Sequence, residues 1–153
     1  MIFGAYCYIF NNRNIINEAM KQTLIIISID PGKYKMGIAV FSKYEGMLYK
    51  KICLKQELNE TISYIMAKYK IDFIVLGDGT GSKEVKEYLK MNFPEIKIEV
   101  VDEENTSLIA RRRYLTEHPL KGIAKFIPIS LRDPMEPYDD YVAVILAEKY
   151  FNV

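Results

Sequence analysis

Acidic side chains fall where the ordered elements of this sequence should end: Asp30, the pair Asp102-Glu103, the pair Asp139-Asp140 and, in a glycine-rich loop, Asp78. If the first three groups converge, they concentrate negative charge in one pocket, and crowded carboxylates need a cation. The chain has one histidine, His118, and two cysteines, Cys7 and Cys53, with no metal-ligand spacing, so a zinc site of the usual kind is not expected. Oxygen-only ligation points instead to a hard ion, Mg²⁺ or Mn²⁺. Such ions activate water and stabilise the leaving oxygen in phosphodiester hydrolysis. Each cluster taken alone also reads as capping or solvated charge, because aspartate commonly closes turns and opens helices.

The elements that must position these groups are legible from periodicity. Leu24 to Ile29 is a near-continuous run of Leu and Ile, which suits a central strand covered on both faces, and it delivers Asp30 at its carboxyl end. Pro31-Gly32 marks a tight turn, and Ile38 to Phe41 supplies a second apolar run, so the two strands should form a hairpin. Met47 to Leu54 reads as a third strand, giving an antiparallel meander. From Glu57 to Tyr69 the apolar positions Leu58, Ile62, Ile65, Met66 and Tyr69 trace one face of a helix. Ile71 to Leu76 is then a buried strand that ends at Gly77-Asp78-Gly79-Thr80-Gly81, and Ser82 opens a helix with Val85, Tyr88 and Leu89 on its apolar face.

Ile96 to Val101 should be another strand, ending on Asp102-Glu103, and Thr106 to Leu115 a helix carrying Arg111, Arg112 and Arg113. Four prolines break residues 116–137 into loop, with a short strand expected at Ala124 to Ile129. Asp139 to Tyr150 closes the chain as a helix. In open α/β sheets ligands gather outside the carboxyl ends of strands, which is where Asp30, Asp78 and Glu103 would lie. Adjacent helical residues point about 100° apart, so one of Asp139 and Asp140 should face that edge.

Composition sets broad limits. The 153 residues suit one domain with a real core. Half of the residues are apolar and 27% are charged, as in an ordinary globular protein, and the net charge of +1 leaves a nucleic-acid partner to be decided by local clusters. Ile2 to Phe10 is too short to span a bilayer and lacks the flanks of a signal peptide. The expected organisation is an N-terminal extension, residues 1–22, ahead of a domain at 23–153. A mis-assigned start is one reading of the extension, and an added edge strand or a homodimer contact is another. A cytoplasmic, reduced setting without a membrane partner is expected.

Asp30-Pro31-Gly32 followed by Gly37-Ile38-Ala39-Val40 is similar to the opening of the RNase H-like resolvases of the RuvC and YqgF types. Val101-Asp102-Glu103 with Thr106 resembles the second acidic motif of the YqgF type, and the ending DDYVAVILAEKYF resembles that family's last helix. The resemblance spans roughly residues 23–152, with the motifs in the family's order. It implies an α/β RNase H-like fold, with a mixed five-stranded sheet, three antiparallel then two parallel strands, flanked by helices. It further implies a metal-dependent nuclease acting on branched DNA or on the precursor of small-subunit ribosomal RNA. Carried over by residue, Asp30, Glu103 and Asp139 match the catalytic, metal-holding carboxylates, with Asp140, Asp102 and Asp78 as alternates. Lys33, Lys35, Arg111, Arg112 and Arg113 are the candidate phosphate contacts.

Two features depart from the family pattern. Gly77 to Gly81 replaces a Gly-Leu-Pro loop, and Glu104 stands where an arginine is usual. They keep open a non-catalytic RNase H-like module that binds nucleic acid or protein. The Gly-Asp-Gly-Thr-Gly loop also resembles the phosphate loops of actin-like kinases, so a nucleotide-binding half of such a protein is a further alternative.

Overall fold

The computed structural model describes residues 24–153, and the expected N-terminal extension at 1–22 lies outside the described residues. Five strands form one mixed sheet: β1 (Ile25–Asp30), β2 (Lys35–Ser42), β3 (Gly46–Leu54), β4 (Phe73–Gly77) and β5 (Ile98–Val101). Among the described residues four α-helices accompany them: α1 (Leu58–Lys68), α2 (Ser82–Asn92), α3 (Thr106–Glu117) and α4 (Asp139–Phe151). The spatial order is β3-β2-β1-β4-β5. β1, β2 and β3 are antiparallel neighbours, whereas β4 and β5 run parallel to β1. The two later strands therefore add to the free edge of β1 and do not continue from β3, which leaves β1 at the centre.

That central place explains the composition of β1. Successive strand side chains point to opposite faces, and both faces here are covered. Ile27 and Ile29 join Ile38, Val40, Ile74 and Leu76 against Leu58, Ile62 and Ile65 of α1 and Val85 and Leu89 of α2. Ile26 joins Ala39, Phe41 and Val75 against Ala143, Val144, Leu146 and Ala147 of α4. The helical stripe read from the sequence at Leu58, Ile62 and Ile65 is the buried face of α1.

α4 is apolar nearly all round because it is sandwiched. One side meets the sheet, and the other packs Tyr141, Val142 and Ile145 on Ala110, Tyr114 and Leu115 of α3. Small residues let it approach closely. A Cβ added to Gly37 would lie 1.8 Å from the backbone oxygen of Asp139, so β2 and the first turn of α4 touch backbone to backbone.

The strand expected at Ala124 to Ile129 does not form; Gly122–Phe126 and Ile129–Leu131 are short 3₁₀ turns. Pro128 has no N–H to give to a ladder, and the nearby carbonyls have other partners. The Arg132 guanidinium donates to the backbone oxygens of Ile127 at 2.7 Å and Lys125 at 2.8 Å. Among the described residues, no helix is long and apolar enough to cross a membrane.

The Gly37 contact is testable. Because the clash is with backbone, Gly37→Ala should cost about 2–3 kcal/mol in urea unfolding, the upper part of the overpacking range. Gly46→Ala, where a Cβ meets nothing within 4 Å but φ is +80°, should cost about 1 kcal/mol.

Candidate active site

Asp30 ends β1 and pairs in register with Gly37 of β2. Next to it, β4 and β5 end together, with the Asp78 N–H donating to the Val101 carbonyl at 3.0 Å. The chain then turns through residues 102–105. Asp78 Oδ1 accepts the Glu103 N–H at 3.0 Å, and Asp102 Oδ1 accepts the Glu104 N–H at 2.8 Å. Asn105 takes a left-handed φ of 66° before α3 begins, a conformation asparagine tolerates. The Thr106 hydroxyl donates back to the Glu103 carbonyl at 2.7 Å. Asp78 and Asp102 thus shape the turn, and Glu103 is the residue the turn presents.

Glu103 is laid over the end of β4. A Cβ at Gly77 would fall 1.6 Å from Glu103 Oε1, and one at Gly79 2.7 Å from Oε2. These two glycines, read from the sequence as a departure from the resolvase pattern, therefore make room for a carboxylate. They have a local cause that requires no bound phosphate. Glu103 Oε1 is buried without a hydrogen-bond partner among the described residues.

Asp30 and Glu103 lie close enough for each to shift the titration of the other. Burial, then the negative charges of Glu103 and Asp139, push the Asp30 carboxyl up to about 7. Burial also raises Glu103, opposed by a hydrogen bond from the Gly79 backbone and by Asp30. Both carboxyls are raised because charging two neighbouring acids in a partly buried place is costly.

The third carboxylate arrives from the opposite layer. Asp139 opens α4, and its Oδ2 lies 2.9 Å from Lys35 Nζ. With Asp30, Lys35, Ser107, Pro134 and Tyr138 it lines a hollow of about 420 Å³. Asp140 faces away: its Oδ2 meets Lys50 Nζ at 2.8 Å, and that ammonium sits 3.3 Å from the Tyr141 ring centroid. The two adjacent carboxylates thus take different lysines as partners.

The basic residues divide as well. Arg111 holds the Arg132 carbonyl and Asp133, and Arg113 pairs with Glu148 at 2.6 Å and Glu117 at 3.2 Å. Both fasten the α3 layer to its surroundings. Arg112 and Lys33 make no ion pair among the described residues. The pairing of Lys35 with Asp139 could not be read from the sequence, since it depends on how α4 docks.

No protein-family model matches this chain, and no curated protein does. Among solved structures, it is similar to Thermus thermophilus RuvC in complex with a Holliday junction substrate, with a TM-score of 0.51 at 11% identity over 84% of this chain and 94% of that one. A second Thermus thermophilus RuvC structure gives a TM-score of 0.51 at 9% identity, over 84% and 95%. The fold is RuvC-like. At such identity the likeness concerns architecture alone, a mixed five-stranded sheet with helices on both faces. In it, Asp30, Glu103 and Asp139 occupy one end of the sheet, at the termini of β1, β5 and α4.

Whether these residues suit a cation can be judged from their chemistry. A buried oxygen without a partner, a carboxyl raised by its neighbours and a third carboxylate acting on it make a place short of positive charge. That fits a hard cation. Among the described residues, however, no group of three or more His, Cys, Asp or Glu side chains stands arranged as a ligand set. Asp139 is held by Lys35, and that ion pair would have to open for three carboxylates to serve one ion.

The raised Asp30 carboxyl has a measurable consequence in metal-free protein. Its ordinary value is 3.8 and its folded value about 7, so between these pH values the folded state binds more protons than the unfolded. Stability therefore falls as pH rises through that window, and the full cost is present above it. Asp30→Asn should stabilise the protein in EDTA by about 2–4 kcal/mol near pH 8 and by little near pH 4. Urea unfolding of both proteins at the two pH values checks this.

Proposed function

We propose that this protein is a metal-dependent nuclease that hydrolyses phosphodiester bonds of structured nucleic acid, either branched DNA or structured RNA such as a ribosomal precursor. The observation that carries this reading is the meeting of Asp30 and Glu103 at the strand ends of a RuvC-like sheet, with Asp139 acting on Asp30 from α4. The resemblance of the motifs to the YqgF type supports a place nearer that branch than RuvC itself.

In this reading Asp30, Glu103 and Asp139 would hold Mg²⁺ or Mn²⁺, and the ion would supply water activation and stabilisation of the leaving oxygen. The protein's part is positioning. The β1–β2 hairpin fixes Asp30, the 102–105 turn fixes Glu103 over Gly77 and Gly79, and the docking of α4 brings Asp139 across. Lys35, released from Asp139, could then meet the phosphate group that brings the substrate in. Lys33 and Arg112 are the other candidate phosphate contacts, since neither is committed to an internal carboxylate among the described residues.

A second reading has one observation in its favour. The Lys35–Asp139 ion pair neutralises the third carboxylate, as it would in a binding module that does no chemistry. Turnover separates the two. Full-length protein with Mn²⁺ should cleave a branched DNA or structured RNA, and Asp30→Asn and Glu103→Gln should each lower the rate by about two orders of magnitude or more. Asp140→Asn, whose carboxylate faces Lys50, should change it little. Binding should weaken with salt, and Lys33→Ala should reduce the slope of log Kobs against log salt by about 1. Tight binding without any cleavage across a panel of both substrates would favour the binding module.

A further inference from the structure

The β1–β2 turn carries Lys33-Tyr34-Lys35, and its consecutive side chains serve different places. Lys35 turns to the carboxylates. Tyr34 instead lines a separate hollow of about 500 Å³, together with Lys33, Leu54, Lys55 and Gln56. The Tyr34 ring is 73% exposed and Leu54 is 47% exposed, although both are large and partly apolar. The backbone beneath them is fixed, because the Lys55 N–H donates to the Tyr34 carbonyl at 3.1 Å and ties the turn to the end of β3.

Nothing in the fold requires an aromatic ring here. The Tyr34 hydroxyl has no hydrogen-bond partner among the described residues, and the ring joins none of the three core clusters. Its near neighbour is a cation: Lys33 Nζ lies 5.2 Å from the ring centroid. Lys55 adds a second ammonium at the rim, paired with Glu84 of α2. A π face, an aliphatic wall and an ammonium without a carboxylate partner among the described residues line this open hollow. They also match the parts of a nucleotide, since bases stack on aromatic rings whatever their sequence and lysines track the phosphates.

We infer that this hollow holds one unpaired nucleotide of the bound strand, its base stacked on Tyr34 beside Leu54 and its phosphate near Lys33. This rests on the nuclease reading above, because it supposes that the strand passes the carboxylates on the other side of the same turn. The nucleotide must be unpaired, since a base inside a duplex has both faces covered by its neighbours and cannot meet the ring. The protein would then select strands with bulged, frayed or branched nucleotides next to the scissile bond.

The test uses full-length protein in EDTA and two labelled DNA duplexes, one fully paired and one carrying a single bulged 2-aminopurine. The bulged duplex should bind more tightly, with its 2-aminopurine fluorescence quenched by stacking. Tyr34→Ala should weaken that binding by about 5- to 100-fold, the range for losing one base–aromatic stack, and abolish the quench. It should leave the paired duplex within about twofold. Tyr34→Phe should retain both signals, and the thermal midpoint of each variant should match the parent, since the ring is exposed. Equal losses on both duplexes, or no loss, would overturn the inference. If wild-type protein with Mn²⁺ cleaves a junction while Tyr34→Ala binds both duplexes as the parent does, this inference alone fails. If neither binding nor cleavage occurs, it fails together with the nuclease reading.

Discussion

Mutual repulsion among half-buried carboxylates is the constraint around which this fold is arranged. Glu103 acts on Asp30 from the neighbouring turn and Asp139 from another layer, so burial and like charge together push the Asp30 carboxyl up to about 7. An arrangement of that kind is not stable by itself. It persists because each carboxylate is carried by an element whose place is decided elsewhere, by apolar burial worth far more than the repulsion costs. β1 is covered on both faces, β4 and β5 extend it on one side, and α4 is clamped between the sheet and α3.

Close approach makes that possible, and glycine makes close approach possible. Gly37 lets the first turn of α4 rest on β2, and Gly77 and Gly79 leave the space that the Glu103 side chain occupies. These positions are unrelated in sequence but share one purpose, which is to bring acidic groups from three elements to one end of the sheet. Several nearby acids have local cations. Lys50 takes Asp140, Arg113 takes Glu148 and Glu117, and Lys149 approaches Asp102, whereas Asp30 and Glu103 make no ion pair among the described residues.

Much of this was legible in the sequence, and the parts that were not have a common cause. The hairpin around Asp30 follows from an aliphatic run broken by Pro31-Gly32. The α1 stripe follows from Leu58, Ile62 and Ile65, and the division of Asp139 from Asp140 follows from helical geometry. All three depend on local periodicity. The roles of Gly77 and Gly79 were not legible, because they answer to Glu103, a residue more than twenty positions away that reaches them only through the pairing of β4 with β5. Arg111 and Arg113 looked available for phosphate, yet their partners lie on the following loop and on α4. The strand expected at Ala124 to Ile129 gave way to 3₁₀ turns, since Pro128 and the grip of Arg132 on two carbonyls outweighed a short apolar run.

The unpartnered Glu103 oxygen and the raised Asp30 carboxyl underlie the proposal that the end of the sheet is a cation site. Anomalous diffraction from crystals of the full-length protein grown with Mn²⁺ tests it most directly. The account predicts a manganese peak between Asp30 and Glu103 at hard-ion bond lengths of about 2.0–2.6 Å, with the Asp139 side chain turned from Lys35 toward it. A fully formed site with Asp139 still on Lys35, and manganese absent there at saturating concentration or bound only elsewhere, would contradict it.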